Sequence, residues 1–131
     1  MTLRVLPLVA ALGLIGCATE PLELQRDVTY IAEWIGDEPV IGRTPVSLTL
    51  SEGRAYGNAG CNHWFANYSR DGDKLNFGQA GATRKLCAPA LMEQEQRFLA
   101  ALSEVQRWDF NAIGQLQLWP ASGKPIRLWA E

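Results

Sequence analysis

The amino-acid sequence predicts an α+β domain that is mainly β: a curved antiparallel sheet or open barrel of about eight short strands with one amphipathic helix at about residues 89–103. Two observations predict this fold class. Short runs in which apolar and polar residues alternate follow one another closely, with turn-forming residues between them. One longer stretch breaks the pattern, because it lacks glycine and is rich in residues that favour helices. A β-sandwich is the alternative topology.

Five of the predicted strands precede the helix. They cover residues 28–35, 46–50, 54–58, 64–69 and 74–77. In the second of these strands Val46, Leu48 and Leu50 alternate with polar residues, which predicts one buried face and one face in water. Gly53 and Gly72 lie in short polar connections typical of hairpins, so we expect a mostly antiparallel sheet.

The single helix is predicted from Pro89 to Ser103. A proline suits the first turn of a helix, and no glycine follows it in this stretch. Glu93 and Arg97 have the i, i+4 spacing of an ion pair on the solvent side. The apolar stripe consists of Leu91, Phe98, Leu99 and Leu102. We expect this stripe to close one side of the sheet.

Three further strands are predicted after the helix. They cover residues 105–110, 115–119 and 126–129. Alternation with the inward leucines of the last two strands turns Trp119 and Trp129 outward. Because exposed tryptophans are enriched where proteins bind partners, these two are the candidate binding patch.

The first 17 residues have the pattern of a bacterial lipoprotein leader. One cation, Arg4, precedes an apolar run that is too short to span a bilayer, and Gly16 and Cys17 end it. We therefore expect residues 1–16 to be a signal peptide and Cys17 to carry the lipid. Attachment of more than one acyl chain makes membrane anchoring stable.

The rest of the chain divides into a tether and one domain. Residues 17–27 lack periodicity and are predicted to be the lipidated N-terminus and a tether, and residues 28–131 to be a single domain. Ala18 follows the cysteine where an aspartate would favour the inner membrane. We therefore expect the protein to lie in the cell envelope, on the outer membrane and facing the periplasm.

Composition and charge exclude some classes of partner. A hydrophobic content of 47% and a charged content of 20% are those of a chain that folds. The formal net charge of -2 and pI of about 5.4 provide no basic surface, so we expect no nucleic-acid partner. We also expect no cofactor and a monomer.

Lipidation of Cys17 leaves Cys61 and Cys87 as an even pair in an oxidising compartment, which predicts a disulfide. The alternative is a metal site formed by these two cysteines and His63. The chain has one histidine and no CxxC motif, so we expect no metal.

Three sequence blocks occur in order: NAGCN at 58–62, ATRKLC at 82–87, and MEQEQRFLAAL at 92–102. This order resembles the META domain, the HslJ-like family of envelope proteins. The matching residues are Gly60, Cys61, Asn62, Phe65, Tyr68, Thr83, Arg84, Cys87, Glu95, Phe98 and Leu99. Tyr30 stands where the family usually has tryptophan. The resemblance implies a small mixed β fold with one helix, an envelope location, an association with heat shock or stress, and no catalytic residue.

Three hypotheses of function remain. We expect no enzyme, because His63 has neither a nucleophile motif nor a second histidine near it in sequence. The first hypothesis is a non-catalytic lipoprotein that supports envelope integrity or stress tolerance by docking another envelope component. The second is a small barrel carrier for an acyl chain or other apolar ligand. The third is an inhibitor of a cell-wall hydrolase. A hollow interior would favour the carrier, and a filled one would favour docking.

Overall fold

The computed structural model describes residues 2–11, 13 and 20–131. Within them, eight antiparallel strands form a closed barrel and one helix lies across one of its ends. The strands are β1 (Thr29–Ile35), β2 (Glu38–Pro39), β3 (Ser47–Leu50), β4 (Arg54–Asn58), β5 (His63–Asp71), β6 (Lys74–Phe77), β7 (Gly81–Ala82), β8 (Val105–Phe110), β9 (Leu116–Pro120) and β10 (Ile126–Ala130). The helix is α1 (Pro89–Ser103).

The ring closes between strands that are far apart in sequence. Neighbouring strands follow the order β10, β9, β8, β6, β5, β4, β3, β1, and β1 also pairs with β10, with Tyr30 opposite Ala130 and Ile35 opposite Ile126. The two-residue strands β2 and β7 pair with β1 and β5 outside this ring. The predicted fold class is confirmed, and the barrel is closed rather than open. Local sequence patterns do not report this closure, because it joins the two termini of the domain.

The interior of the barrel is filled by its own side chains. Trp64 is 1% exposed and meets Phe98 of α1 edge to face, with 5.6 Å between ring centroids. A second edge contact joins Trp64 to Phe77 at 6.4 Å. Leu48, Leu75 and Leu116 are each fully buried in the same cluster. The apolar faces of the strands and of α1 therefore meet in one core.

The two ends of the barrel differ. We call one the cap end, because it carries α1 together with residues 59–62 between β4 and β5 and the 121–125 turn between β9 and β10. We call the other the tether end, because residues 20–28 reach the barrel there, beside the β3–β4, β5–β6 and β8–β9 turns. All eight strands run from one end to the other, so the two ends face in opposite directions.

Packing extends beyond the predicted start of the domain at residue 28. Leu24 is 3% exposed and belongs to the core cluster, and its carbonyl accepts a hydrogen bond from Nη1 of Arg70 at 2.7 Å. The amide of Gln25 donates to the hydroxyl of Tyr30 at 3.0 Å. The amide of Asp27 donates to the carbonyl of Leu50 at 2.7 Å. Residues 24–27 thus pack against the barrel. Their sequence shows no periodicity, because only the side chain of Leu24 is buried and the other contacts are hydrogen bonds to backbone groups.

Cys17, the predicted lipid attachment site, lies outside the described residues. Among those that are described, no helix has the length and apolar character needed to cross a membrane.

Candidate functional site

The residues of the GCN and TRKLC blocks meet at the cap end around the side chain of Asn62. This residue is 2% exposed, and its backbone N and Nδ2 donate to Oε1 and Oε2 of Glu95 at 2.7 and 2.9 Å. Its Oδ1 accepts from Thr83 Oγ1 at 3.0 Å and from the amide of Lys85 at 2.6 Å. Nδ2 also donates to the carbonyl of Lys85 at 3.0 Å. We call this arrangement the Asn62 network. It joins three separate parts of the chain through one amide side chain.

The predicted disulfide is confirmed and lies beside this network. Cys61 and Cys87 are bonded, with 6.0 Å between their Cα atoms and 26 residues between them in sequence. The bond ties the β4–β5 connection to the loop that leads into α1. Because both sulfur atoms are in the disulfide, they are not available as thiolate ligands for the alternative metal site with His63. Within the described part of the chain there is no group of three or more side chains that could hold a metal ion.

A second polar side chain of α1 is fully buried beside Gly60. Gln94 Oε1 accepts from the amide of Ile41 at 2.7 Å, and its Nε2 donates to the carbonyl of the same residue at 3.1 Å. Gly60 has a φ of 102°, and a Cβ there would lie 3.1 Å from Gln94 Nε2. A side chain at this position would be strained by the positive φ and would require Gln94 Nε2 to move by a few tenths of an ångström.

Sequence reasoning named Glu95 through the family pattern and missed Gln94. The signal was present, because residues 91, 94, 98 and 102 recur at the spacing of one helix face. A glutamine on an apolar stripe indicates a buried hydrogen-bonded side chain. Of the remaining block residues, Arg84 is exposed to solvent and takes no part in the Asn62 network.

A cleft of about 300 Å³ opens at the cap end between α1 and the β9–β10 turn. Its floor is apolar and is formed by the barrel residues Ile35, Leu118 and Ile126. Ala100 and Ala101 of α1 form one wall. This size is at the lower limit of pockets that take small molecules.

Charged side chains stand at the rim of this cleft. Nη2 of Arg97 lies 2.7 Å from Oε2 of Glu38, and Nζ of Lys124 lies 2.9 Å from Oδ1 of Asp37. The predicted pairing of Arg97 with Glu93 is also present, at 3.6 Å. These pairs connect the helix and the β9–β10 turn to the residues around β2.

The structure does not bring the two predicted patch tryptophans together. Trp119 is half-buried, donates from Nε1 to Asp109 Oδ1 at 2.8 Å, and lies under the guanidinium of Arg107 at 4.7 Å. Trp129 is 39% exposed and donates from Nε1 to a carboxylate oxygen of Glu33. Trp119 is opposite Arg107 on β8, whereas Trp129 is opposite Ile31 on β1. The two indoles therefore lie at different ends of the β9–β10 hairpin.

An exposed aromatic pair that sequence reasoning missed lies on the side of the barrel. Tyr56 and Phe65 are opposite each other on β4 and β5 and are 48% and 46% exposed. Gly81 leaves room for the ring of Phe65, because a Cβ there would come within 2.6 Å of it. Alternation with the buried Trp64 already turned Phe65 outward, but only the strand pairing places Tyr56 beside it.

His63, the histidine of the alternative metal site, is exposed on β5. Its Nδ1 lies 3.3 Å from the carbonyl of Gly57. The Oγ of Ser47 accepts a hydrogen bond from the amide of Asn58 at 3.0 Å. Both side chains contact backbone groups of the same β-hairpin region, which is a structural use of these residues.

A sequence model of the META domain matches residues 22–131. The chain belongs to the META domain family. Two solved structures resemble this META domain protein. One is the NMR structure of a protein from Burkholderia xenovorans, with a TM-score of 0.65 and 26% sequence identity over 81% of this chain and 83% of the other. The second is also an NMR structure, with a TM-score of 0.60 and 23% identity over 77% of this chain and 86% of the other.

No protein of curated function matches the chain. The META domain is not a known enzymatic family. The match from residue 22 agrees with the packing of Leu24 on the barrel. Most of the blocks that carried the resemblance converge on the Asn62 network and the disulfide, where they hold the helix on the barrel.

Proposed function

We propose that this META domain protein is a non-catalytic envelope lipoprotein, anchored through an acylated Cys17, that supports envelope integrity or stress tolerance by docking another envelope component at its cap end. The observation that carries the proposal is the filled barrel interior. Trp64, Phe98 and the surrounding leucines occupy the space that an acyl chain would need inside the ring. A barrel without an internal site acts through its surface.

The leader supports the anchoring part of the proposal. The apolar run that ends at Gly16 and Cys17 has the pattern of a lipoprotein leader. The chain packs on the barrel from Leu24 onward, so only a short segment separates the proposed lipid from the folded domain. The disulfide of the domain is of the kind that persists in an oxidising compartment.

The position of the cleft supports docking at the cap end. Because residues 20–28 meet the barrel at the tether end, the cap end faces away from the proposed membrane anchor. It is therefore free to meet a component in the periplasm. The cleft combines an apolar floor with charged residues at its rim, as protein interfaces do.

One observation favours a second candidate function. The floor of the cleft is formed by Ile35, Leu118 and Ile126, and its volume suits a small apolar ligand. A carrier role would then use this external cleft rather than the barrel interior.

Site-specific cross-linking distinguishes the two candidates. A photoreactive amino acid is placed at Ala100 in the cleft wall, or at the exposed Ser69 on β5 as a matched control, and the host cells are irradiated. Docking predicts one discrete protein adduct from position 100 and none from position 69. Native mass spectrometry of the purified lipoprotein provides the second readout. A retained small apolar molecule without any protein adduct would contradict docking and favour the carrier.

The anchor is tested separately. Cys17→Ser should release a folded, disulfide-bonded protein from the membrane fraction, because it removes the acylated thiol and leaves Cys61 and Cys87 intact. Wild-type protein should carry a diacylglycerol mass on its N-terminal peptide. An unmodified Cys17 in protein from the native host would refute the anchor.

A further inference from the structure

The tether end carries an uncharged apolar patch that the proposed docking role does not use. Leu22 is 58% exposed and Ile113 is 67% exposed, although both are large aliphatic side chains. Ala112, beside Ile113 in the β8–β9 turn, is exposed as well. We call Leu22, Ala112 and Ile113 the tether-end patch.

The parts of this patch are adjacent although they come from distant parts of the chain. Cδ1 of Leu22 lies 3.7 Å from the position that a Cβ on Gly114 would occupy, so Leu22 lies against the β8–β9 turn. Leu22 also lies at the edge of a surface pocket that has apolar walls from Pro21, Trp108 and Phe110 and charged ones from Asp73, Arg107 and Asp109. The burial of Leu24 and its bond to Arg70 fix the segment that presents Leu22.

The proposed lipid must lie close to this patch. Five residues join Cys17 to Leu22. Even a fully extended chain of that length reaches only about 17 Å. An acylated Cys17 therefore confines the tether end to the vicinity of the bilayer surface, whereas the cap end points away from it.

The charge of the patch indicates which lipid chemistry it meets. No charged residue occurs in the 111–114 turn. The neighbouring turns at the tether end carry the acidic residues Glu52, Asp71 and Asp73, and the basic residues Arg54, Arg70 and Lys74 flank these turns. Apolar side chains at a membrane surface enter the boundary between headgroups and acyl chains, and mixed charges around them provide no basic cluster that would select anionic headgroups.

We propose that the tether-end patch rests on the bilayer, with Leu22 and Ile113 inserted among zwitterionic phospholipids, so that the anchored barrel stands with its cap end directed into the periplasm. This proposal depends on the lipid anchor at Cys17 proposed above. The lipid supplies the attachment, and the patch sets the orientation of the domain. Leu22, Ala112 and Ile113 thus form a membrane-contacting surface rather than a protein interface.

The chain offers a matched pair of exposed isoleucines for the test. Ile113 lies at the tether end, and Ile41, which is 44% exposed, lies at the cap end beside Gln94. Each is replaced in turn by a photoreactive aliphatic amino acid. The mature lipoprotein is reconstituted in phosphatidylcholine vesicles and irradiated, and phospholipid adducts are measured by mass spectrometry. We expect position 113 to give at least about tenfold more adduct than position 41, because insertion reaches only the interfacial layer.

Two further measurements complete the test. Leu22→Asp should lower the yield from position 113 severalfold while the circular dichroism spectrum stays unchanged, because the side chain is exposed. Equal yields from positions 113 and 41, or a yield at 113 that Leu22→Asp leaves unchanged, would overturn the proposed orientation.

The failure of this inference can be separated from failure of the anchor. The chain from Cys17, whose only free thiol is Cys17 because Cys61 and Cys87 are bonded, is coupled to a maleimide phospholipid in the same vesicles. This sample measures the contact of the patch whatever the host does to Cys17. Lipid found on Cys17 in the host together with equal labelling refutes only the orientation. No lipid on Cys17 in the host overturns the anchor and the orientation that depends on it.

Discussion

The two ends of this barrel are closed in different ways. At the cap end a helix is held by a disulfide and by buried polar side chains, with Glu95 and Asn62 bonded to each other at 2.7 and 2.9 Å. At the tether end the side chain of Leu24 and three hydrogen bonds to backbone groups hold an irregular segment, with Tyr30, Leu50 and Arg70 as the partners. The comparison teaches that the helix at the cap end is held by side chains that bond to one another, whereas the segment at the tether end is held through hydrogen bonds to its own backbone groups. A buried polar network is costly when it is broken, so the cap end should have one fixed geometry.

The largest expected effect is the loss of the Asn62 network. Asn62→Ala keeps the backbone N–H bond to Glu95 Oε1 but removes the Nδ2 donor to Oε2, and it leaves Thr83 Oγ1 and the amide of Lys85 without their common acceptor. We expect the free energy of unfolding to fall by about 3–5 kcal/mol. Urea denaturation measures it. Asn67→Ala, at an exposed position on β5, is the control and should change stability by less than about 0.5 kcal/mol. Similar effects of the two substitutions would contradict the view that the Asn62 network stabilises the cap end.

The disulfide is expected to contribute nearly as much. Replacing Cys61 and Cys87 together by alanine opens a loop with a sequence separation of 26. The chain-entropy relation gives a loss of about 3.5 kcal/mol. Differential scanning calorimetry of the double variant measures this loss, and Cys17→Ser serves as the control because it leaves the domain intact. An unchanged melting temperature in the double variant would show that the disulfide does not stabilise the domain.

At the tether end the decisive side chain is Leu24. Leu24→Ala leaves a cavity beside the core, and we expect the free energy of unfolding to fall by about 2–3 kcal/mol, since the irregular segment at this end can partly collapse into the cavity. Leu22→Ala, two residues away and 58% exposed, is the matched control with a change below about 0.5 kcal/mol. Hydrogen exchange should show faster exchange at Asp27, whose amide is bonded to Leu50, in the first variant only. Equal effects of the two substitutions would mean that residues 24–27 are a tether without a structural role.

The smallest expected effect concerns the ion pairs at the rim of the cleft. In a double-mutant cycle, Arg97 and Glu38 should show a coupling energy of about 0.5–1 kcal/mol, because the Arg97 side chain is only 32% exposed. Lys124 and Asp37, at 65% and 76% exposed, should couple by about 0.3 kcal/mol or less. A larger coupling for the exposed pair would contradict the view that burial decides the strength of these contacts.

The sequence predicted secondary structure more completely than it predicted sites. The eight barrel strands agree with the predicted runs to within a residue or two, and the helix runs from Pro89 to Ser103 as predicted. Alternating and helical periodicities are formed by residues that are close together in the chain, so they can be read directly from the sequence. The two-residue strands β2 and β7 escaped notice because two residues cannot display a period.

The sites were only partly accessible to sequence reasoning. The pairing of Cys61 with Cys87 followed from counting cysteines, but the role of Asn62 as the common partner of Glu95 and Thr83 did not, since these residues are far apart in sequence. The proposed patch of Trp119 and Trp129 remains a prediction about binding. Their placement at different ends of one hairpin depended on the register of β9 and β10, which alternation alone does not give.

By itself the sequence determined the class of fold, the single helix, the disulfide and the membership of a family. Periodicity, residue chemistry and motif order are all properties of the linear order of the residues. Only the tertiary structure decided that the barrel is closed, that its interior is filled, that Glu95 is buried against Asn62, and that residues 20–28 and the helix lie at opposite ends. Each of these depends on contacts between residues that are distant in sequence, and their formation is a property of the packed molecule as a whole.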